Sequence, residues 1–131
     1  MQQPTVAARL SIQPGVTLWF EPVEWLRLLG PLPPGVRMTG EFAASTVAVL
    51  FVSNAGGIRW FLDRYRTVMA RPPMIWLCYP TVGLPDFNRG TLVAQLAGHG
   101  LQPVGEVPLG DGWTAMQVRR NAPVSPPPTV G

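Results

Sequence analysis

Thr46-Val-Ala-Val-Leu-Phe-Val-Ser53 and Met74-Ile-Trp-Leu-Cys-Tyr-Pro80 are two short apolar runs on either side of one amphipathic segment, and their reading decides the fold. Val47 to Val52 is apolar without a break, as expected of a strand covered on both faces, which has no reason to alternate polar and apolar residues. Met74 to Tyr79 repeats the signature, and Pro80 stops it because proline donates nothing to a ladder. Between them, Ser53-Asn-Ala-Gly-Gly57 is turn chemistry, with a helix N-cap at Ser53 or Asn54. Ile58, Phe61, Leu62, Tyr65, Val68 and Met69 then recur at spacings of three and four, which predicts one helix reaching Met69 and ended by Arg71-Pro-Pro73. A strand, helix and strand of this length form a right-handed crossover between parallel strands. The fold class is therefore α/β.

Outward from this unit, Val16 to Phe20 reads as a strand, Val23 to Leu29 as a short helix with Pro22 at its start, and Val36 to Met38 as a brief edge strand. Met1 to Arg9 lacks a strong pattern, although a short helix can begin at Val6. After Pro80 a loop leads to a helix from about Arg89 to His99, capped by Asp86 or Asn88, with Leu92, Val93 and Leu96 on its apolar face. Gly98 and Gly100 end it. Leu101 to Leu109 reads as an edge strand because of Pro103 and Pro108. Gly110-Asp-Gly112 is a tight-turn signal, and Trp113 to Arg119 is the return strand. The order β-α-β-β-α-β-α-β-β gives a sheet order of 2-1-3-4-6-5 if the last strand inserts antiparallel beside the fourth. That is the sheet of the Rossmann-like methyltransferases with elements missing. Residues 1–120 form the domain. Residues 121–131 hold four prolines and read as a disordered tail.

Composition narrows the chemistry. A chain of 131 residues, 47% hydrophobic and 13% charged, suits one domain with one buried core. No apolar run reaches the roughly 18–20 residues of a membrane span, and no signal-peptide pattern opens the chain, so a cytoplasmic protein is expected. All the Lys+Arg total of 10 is arginine, which excludes lysine chemistry. A net charge of +3 on scattered arginines argues against nucleic acid, whose binders carry a basic stripe. Arg64, Arg66 and Arg71 read as a solvated face. Cys78 reads as a buried core thiol, since a reactive one wants exposure and a basic neighbour. One histidine, His99, and one cysteine supply neither a zinc site nor a triad.

A dinucleotide or S-adenosylmethionine site in this fold class needs a glycine-rich turn after the first strand. Here that turn is Phe20-Glu-Pro-Val-Glu-Trp25, without glycine and with two carboxylates that repel phosphate. No cofactor is predicted. The remaining candidates for ligand contact are Asn54, Gly56 and Gly57, at the carboxyl end of a strand, and Asp86 with Arg89 in the loop after the next. For each of these an ordinary turn or cap is the plainer reading. Asp111, Trp113, Thr114 and Arg119 form a further candidate surface on the final hairpin.

From Leu10 to Arg119 the chain resembles an uncharacterised bacterial family of unknown function, DUF3052, whose members are small, Rossmann-like and methyltransferase-like. Gln13-Pro-Gly15, Leu28-Leu-Gly-Pro-Leu-Pro-Pro-Gly-Val36, Met74-Ile-Trp-Leu-Cys-Tyr-Pro80, Asp86-Phe-Asn-Arg89 and Asp111-Gly-Trp-Thr-Ala115 with Arg119 carry the resemblance. Where the family pattern has lysines, an aspartate and an arginine, this chain has Thr81-Val82, Gly90 and Gln117. The resemblance implies the fold, and it implies a polar site reduced to Asp86, Arg89, Asp111, Trp113, Thr114 and Arg119.

These readings lean against catalysis. They point first to a non-catalytic interaction or regulatory domain with a protein partner or a second copy of itself. Five tryptophans support this, with Trp19, Trp60 and Trp76 expected in the core and Trp25 and Trp113 as surface anchors. The alternative is a small-molecule binder, for an adenosine-type or anionic ligand, or a remnant methyltransferase. Nucleic-acid binding is the least supported.

Overall fold

The computed structural model describes residues 5–121. Its elements are α1 (Val6–Arg9), β1 (Thr17–Glu21), a 3-10 helix (Val23–Leu29), β2 (Arg37–Met38), a 3-10 turn (Phe42–Ala44), β3 (Val47–Phe51), α2 (Ala55–Arg64), β4 (Met74–Pro80), α3 (Arg89–Ala97), β5 (Leu101–Gly110) and β6 (Trp113–Arg120). The proline-rich segment from 122 onward lies outside the described residues.

The six strands form one sheet in the order β2-β1-β3-β4-β6-β5. β2, β1, β3 and β4 run parallel, and β6 and β5 join antiparallel. The predicted order is the observed one. Along β3 successive side chains enter opposite faces, so Ala48 and Leu50 serve one core while Val47, Val49 and Phe51 serve the other. On the first face α2 and α3 supply Ile58, Phe61, Leu62, Leu92 and Leu96. On the second, α1 and the 3-10 helix supply Ala7, Leu10 and Leu29. All of β3 is buried, which is why its sequence shows no alternation. Trp76 Nε1 donates to the Leu10 carbonyl at 2.9 Å and ties the end of α1 to β4 inside the second core.

Two expectations about α2 need correction. The helix ends at Arg64, not Met69. Tyr65 leaves helical geometry at φ −106 and stacks on Phe42 at 4.6 Å. Short turns, in which Val68 N–H donates to Tyr65 and Arg71 N–H to Val68, then carry Met69 into the core. Trp60 is not a core residue: it is 47% exposed. The buried stripe is Ile58, Phe61 and Leu62, and a residue two places after Ile58 points away from it. Trp19 and Trp76 are buried as expected.

The hairpin forms as read. Asp111 and Gly112 take φ of 52 and 86, the left-handed pair that a two-residue turn of type I′ demands. β5 pairs with β6 alone and is the sheet's edge.

Candidate functional site

The strand order reverses direction between β1 and β3, and in open α/β sheets ligands bind in the crevice outside the carboxyl ends at such a point. Glu21 and Phe51 end these two strands. After Glu21 comes a cis bond to Pro22 and then the 3-10 helix, so no glycine turn opens the crevice. Trp25 of that helix lies 6.0 Å from Phe51 and 5.5 Å from Trp113, and Phe51 lies 5.0 Å from Trp113. The three rings close the crevice on this face. The cavity left among Val6, Leu28, Phe51, Leu109 and Trp113 is about 20 Å³. That admits one water, whereas ligand sites run to roughly 300–1,000 Å³. Trp25 and Trp113 are therefore half-buried packing partners of each other, not the separate surface anchors expected.

The carboxyl-end candidates have structural work of their own. Asn54 is the N-cap of α2, its side chain accepting from Gly57 N–H at 2.7 Å. A Cβ at Gly57 would sit 2.9 Å from Cγ2 of the buried Val52, so a larger residue there forces that side chain to shift. Gly56 is exposed in the first turn of the helix. Asn88, not Asp86, caps α3: its side chain accepts from Thr91 N–H at 3.1 Å while the Thr91 hydroxyl lies 2.9 Å from Asn88 N. Asp86 is exposed in the loop before it.

Arg89 does not turn to Asp86. Its Nε donates to both Glu106 carboxylate oxygens, at 2.9 and 3.0 Å, and the Tyr79 hydroxyl donates to the first of them at 2.5 Å. β4, α3 and β5 are joined by this cluster. The Arg89 bond holds the Glu106 carboxyl below its ordinary range. Burial, and then the bond to Glu106, push the Tyr79 hydroxyl up to about 12. Sequence reading missed Glu106, because a lone glutamate on an edge strand carries no local sign of a partner 17 residues away.

On the hairpin, the Thr114 hydroxyl is 2.8 Å from that of Thr81, and Thr81 N–H donates to the Gly112 carbonyl at 2.7 Å. Asp111, Trp113 and Thr114 thus share the carboxyl end of β4. Arg119 does not join them: it pairs opposite Gln102 at the other end of the sheet, because β6 runs antiparallel to β4. α3 ends at Ala97, short of the expected His99, which lies in the turn beyond it with Nδ1 3.1 Å from the Gln95 carbonyl and Nε2 3.7 Å from Asp63 on α2. Cys78 is fully buried, and burial pushes its thiol up, out of the reactive range.

A wider opening lies beside the crevice, on the α2 face. A groove of about 490 Å³ runs between β1, the end of β2 and the outer side of α2. Trp19, Glu21, Met38, Trp60, Arg64 and Tyr65 are among the residues that line it. Trp60 and Tyr65 meet edge to face at 6.0 Å, with the Arg64 guanidinium 5.8 Å and 5.6 Å from their centroids. Val23 and Met38 are 57% and 44% exposed beside them. No motif announces this groove. It exists because β2 is only two residues long and, among the described residues, no strand lies beyond it in the sheet.

Among the described residues no helix is long and apolar enough to cross a membrane, and no three His, Cys, Asp or Glu side chains group as metal ligands.

No family model matches the sequence, and no curated protein matches it. Solved structures do. Sp1610 of Streptococcus pneumoniae, assigned as a candidate tRNA (m1A22) methyltransferase, aligns with a TM-score of 0.53 at 15% identity, over 92% of this chain and 71% of its own. A protein of the NADB-Rossmann superfamily from Streptococcus agalactiae gives 0.54 at 12%, over 92% and 70%. The mitomycin 7-O-methyltransferase MmcR gives 0.52 at 11%, over 79% and 48%. At such identities the likeness concerns the fold alone, and the fold is Rossmann-like and methyltransferase-like.

Proposed function

We propose that this chain is a non-catalytic, methyltransferase-like domain that acts through protein contacts, with a partner protein or a second copy of itself. The supporting observation is the closed crevice. Where this fold class seats a ligand, Trp25, Phe51 and Trp113 pack ring against ring, leaving a cavity of about 20 Å³ beside Phe51 and Trp113 and an opening of about 120 Å³ beside Trp25 and Trp113, both below the range of ligand sites. Three exposed apolar side chains, Val23, Met38 and Trp60, line the open groove beside α2. Aromatic side chains held on a rigid frame are the usual anchors of protein recognition.

A second reading rests on the size of that groove. At about 490 Å³ it lies in the range of small-molecule sites, and Glu21, Arg64 and two aromatic rings line it. An adenosine-type or anionic ligand fits that chemistry, as it would in a remnant methyltransferase. Thermal unfolding with S-adenosylmethionine, S-adenosylhomocysteine, nucleotides and phosphate separates the two. The interaction reading expects a flat panel, together with capture of a partner or concentration-dependent self-association. A ligand at about 100 times its Kd adds roughly 2.7 kcal/mol. A shift of several degrees with one compound, abolished by Glu21→Gln or Arg64→Ala, establishes the second reading in its place.

A further inference from the structure

We infer that the α2 groove receives the proline-rich segment Pro123–Pro128 of a second copy of this chain. The inference rests on the interaction reading above and names the partner.

The first argument is chemical. Proline-rich segments favour the extended polyproline II helix, whose ridges dock between aromatic rings at little entropic cost. The groove offers such rings: Trp60 and Tyr65 stand at 87° to one another, with Met38, Trp19, Glu21 and Arg64 also in the lining. Trp60 is 47% exposed among the described residues. The same chain carries the matching sequence, Pro123-Val-Ser-Pro126 followed by Pro127 and Pro128, in which two prolines three apart fall on one face of a three-residue helical turn.

The second argument concerns reach, and it selects a second copy. β6 is three strands from β1 and four from β2, so at about 4.8 Å per strand the lateral separation is about 14–19 Å. Val118 is level with Ile75, Ala48 and Trp19. Asn121 lies three residues below that level, and the groove residue Glu21 lies two residues above it. At about 3.3 Å per residue this adds about 16–17 Å along the strands. The straight path is then over 20 Å, and α2 and α3 stand over that face. The middle of Pro123–Pro128 is four to five residues past Asn121, or about 14 Å at about 3.1 Å per residue. The middle of the segment therefore falls short of its own groove. Reciprocal exchange between two copies closes the contact as a dimer.

The test uses the full chain and a chain ending at Asn121. Light scattering over a concentration series is expected to show dimers of the first and monomers of the second. A synthetic peptide of residues 121–131, titrated onto the shortened chain, is expected to change tryptophan fluorescence. By calorimetric titration, which does not depend on the Trp60 fluorophore, Trp60→Ala is expected to lose peptide binding while the chain still unfolds cooperatively. Pro126→Ala in the peptide is expected to weaken it by at least about tenfold. A peptide that does not bind, or that binds the Trp60→Ala chain equally well, overturns the inference. If both chains dimerise alike, the tail is excluded and the interaction reading survives. If both are monomers, the peptide is inert and the full chain captures no partner, both readings fall.

Discussion

Arg89 and Glu106 bind across 17 residues of sequence, with the arginine Nε within 3.0 Å of both carboxylate oxygens. The carboxylate also accepts from Tyr79, which is only 5% exposed. The consequences of losing each partner differ. Glu106→Ala leaves a buried hydroxyl without an acceptor, which costs about 1–3 kcal/mol. Arg89→Ala removes an exposed partner from an otherwise satisfied carboxylate, so its effect is smaller. Urea denaturation of the two variants checks the order. Because the folded Glu106 carboxyl lies below its ordinary value, its contribution is present above that value and is lost as pH falls through the folded one. The Glu106→Gln chain is expected to lose less stability on acidification than the parent.

Tyr79 gives the opposite pH window. Its hydroxyl titrates near 12 in the folded chain, against about 10 for a free tyrosine. The contribution is complete below pH 10 and disappears as pH rises towards 12. Absorbance titration near 295 nm is expected to show Tyr79 ionising late, and Tyr79→Phe to flatten the alkaline loss of stability between those values.

Gly57 was a candidate ligand contact by sequence, and the structure gives it a packing role. Gly57→Ala places a methyl group 2.9 Å from Val52 Cγ2, and overpacking of this kind costs about 1–3 kcal/mol. Asn54→Ala removes the cap and costs about 1 kcal/mol. Both variants should unfold earlier in a calorimeter. Neither should alter any ligand response, and a lost response in either would return these residues to a binding role.

The ring cluster at the switch point can be opened. Trp25→Ala removes the central contact with both Phe51 and Trp113. A loss of about 2–4 kcal/mol is expected, at or below the range for fully buried tryptophan because Trp25 is half-buried. The variant is also expected to bind an apolar dye that the parent excludes.

Sheet order, strand positions and the hairpin were legible because they rest on local signals: unbroken apolar runs for strands covered twice, prolines in β5, and Asp-Gly in the turn. The site was less legible because it depends on what faces what across the sheet. Arg89 lies next to Asp86 in sequence and next to Glu106 in space. Arg119 lies near Trp113 in sequence and at the opposite end of an antiparallel strand. Trp60 is expected in the core, although its helical phase places it outside. The groove had no sequence signal, since it arises where an element is missing.

Cys78 joins a buried position to a thiol whose ionisation burial opposes. A thiol reagent reaches only the thiolate of an accessible group. Labelling in native buffer is therefore expected to be slow and to accelerate at the denaturant midpoint, which makes the residue a one-site reporter of global opening. Fast native labelling would mean that β4 opens locally.

The outer margin of β5 bears on what the molecule avoids. Pro103 and Pro108 have no N–H, and the pairing register slips after each of them. An incoming strand would find donors missing at two positions along a ten-residue edge. Fibrillar growth by sheet extension is thus blunted at that margin, so concentrated solutions should stay free of cross-β material while the fold is intact.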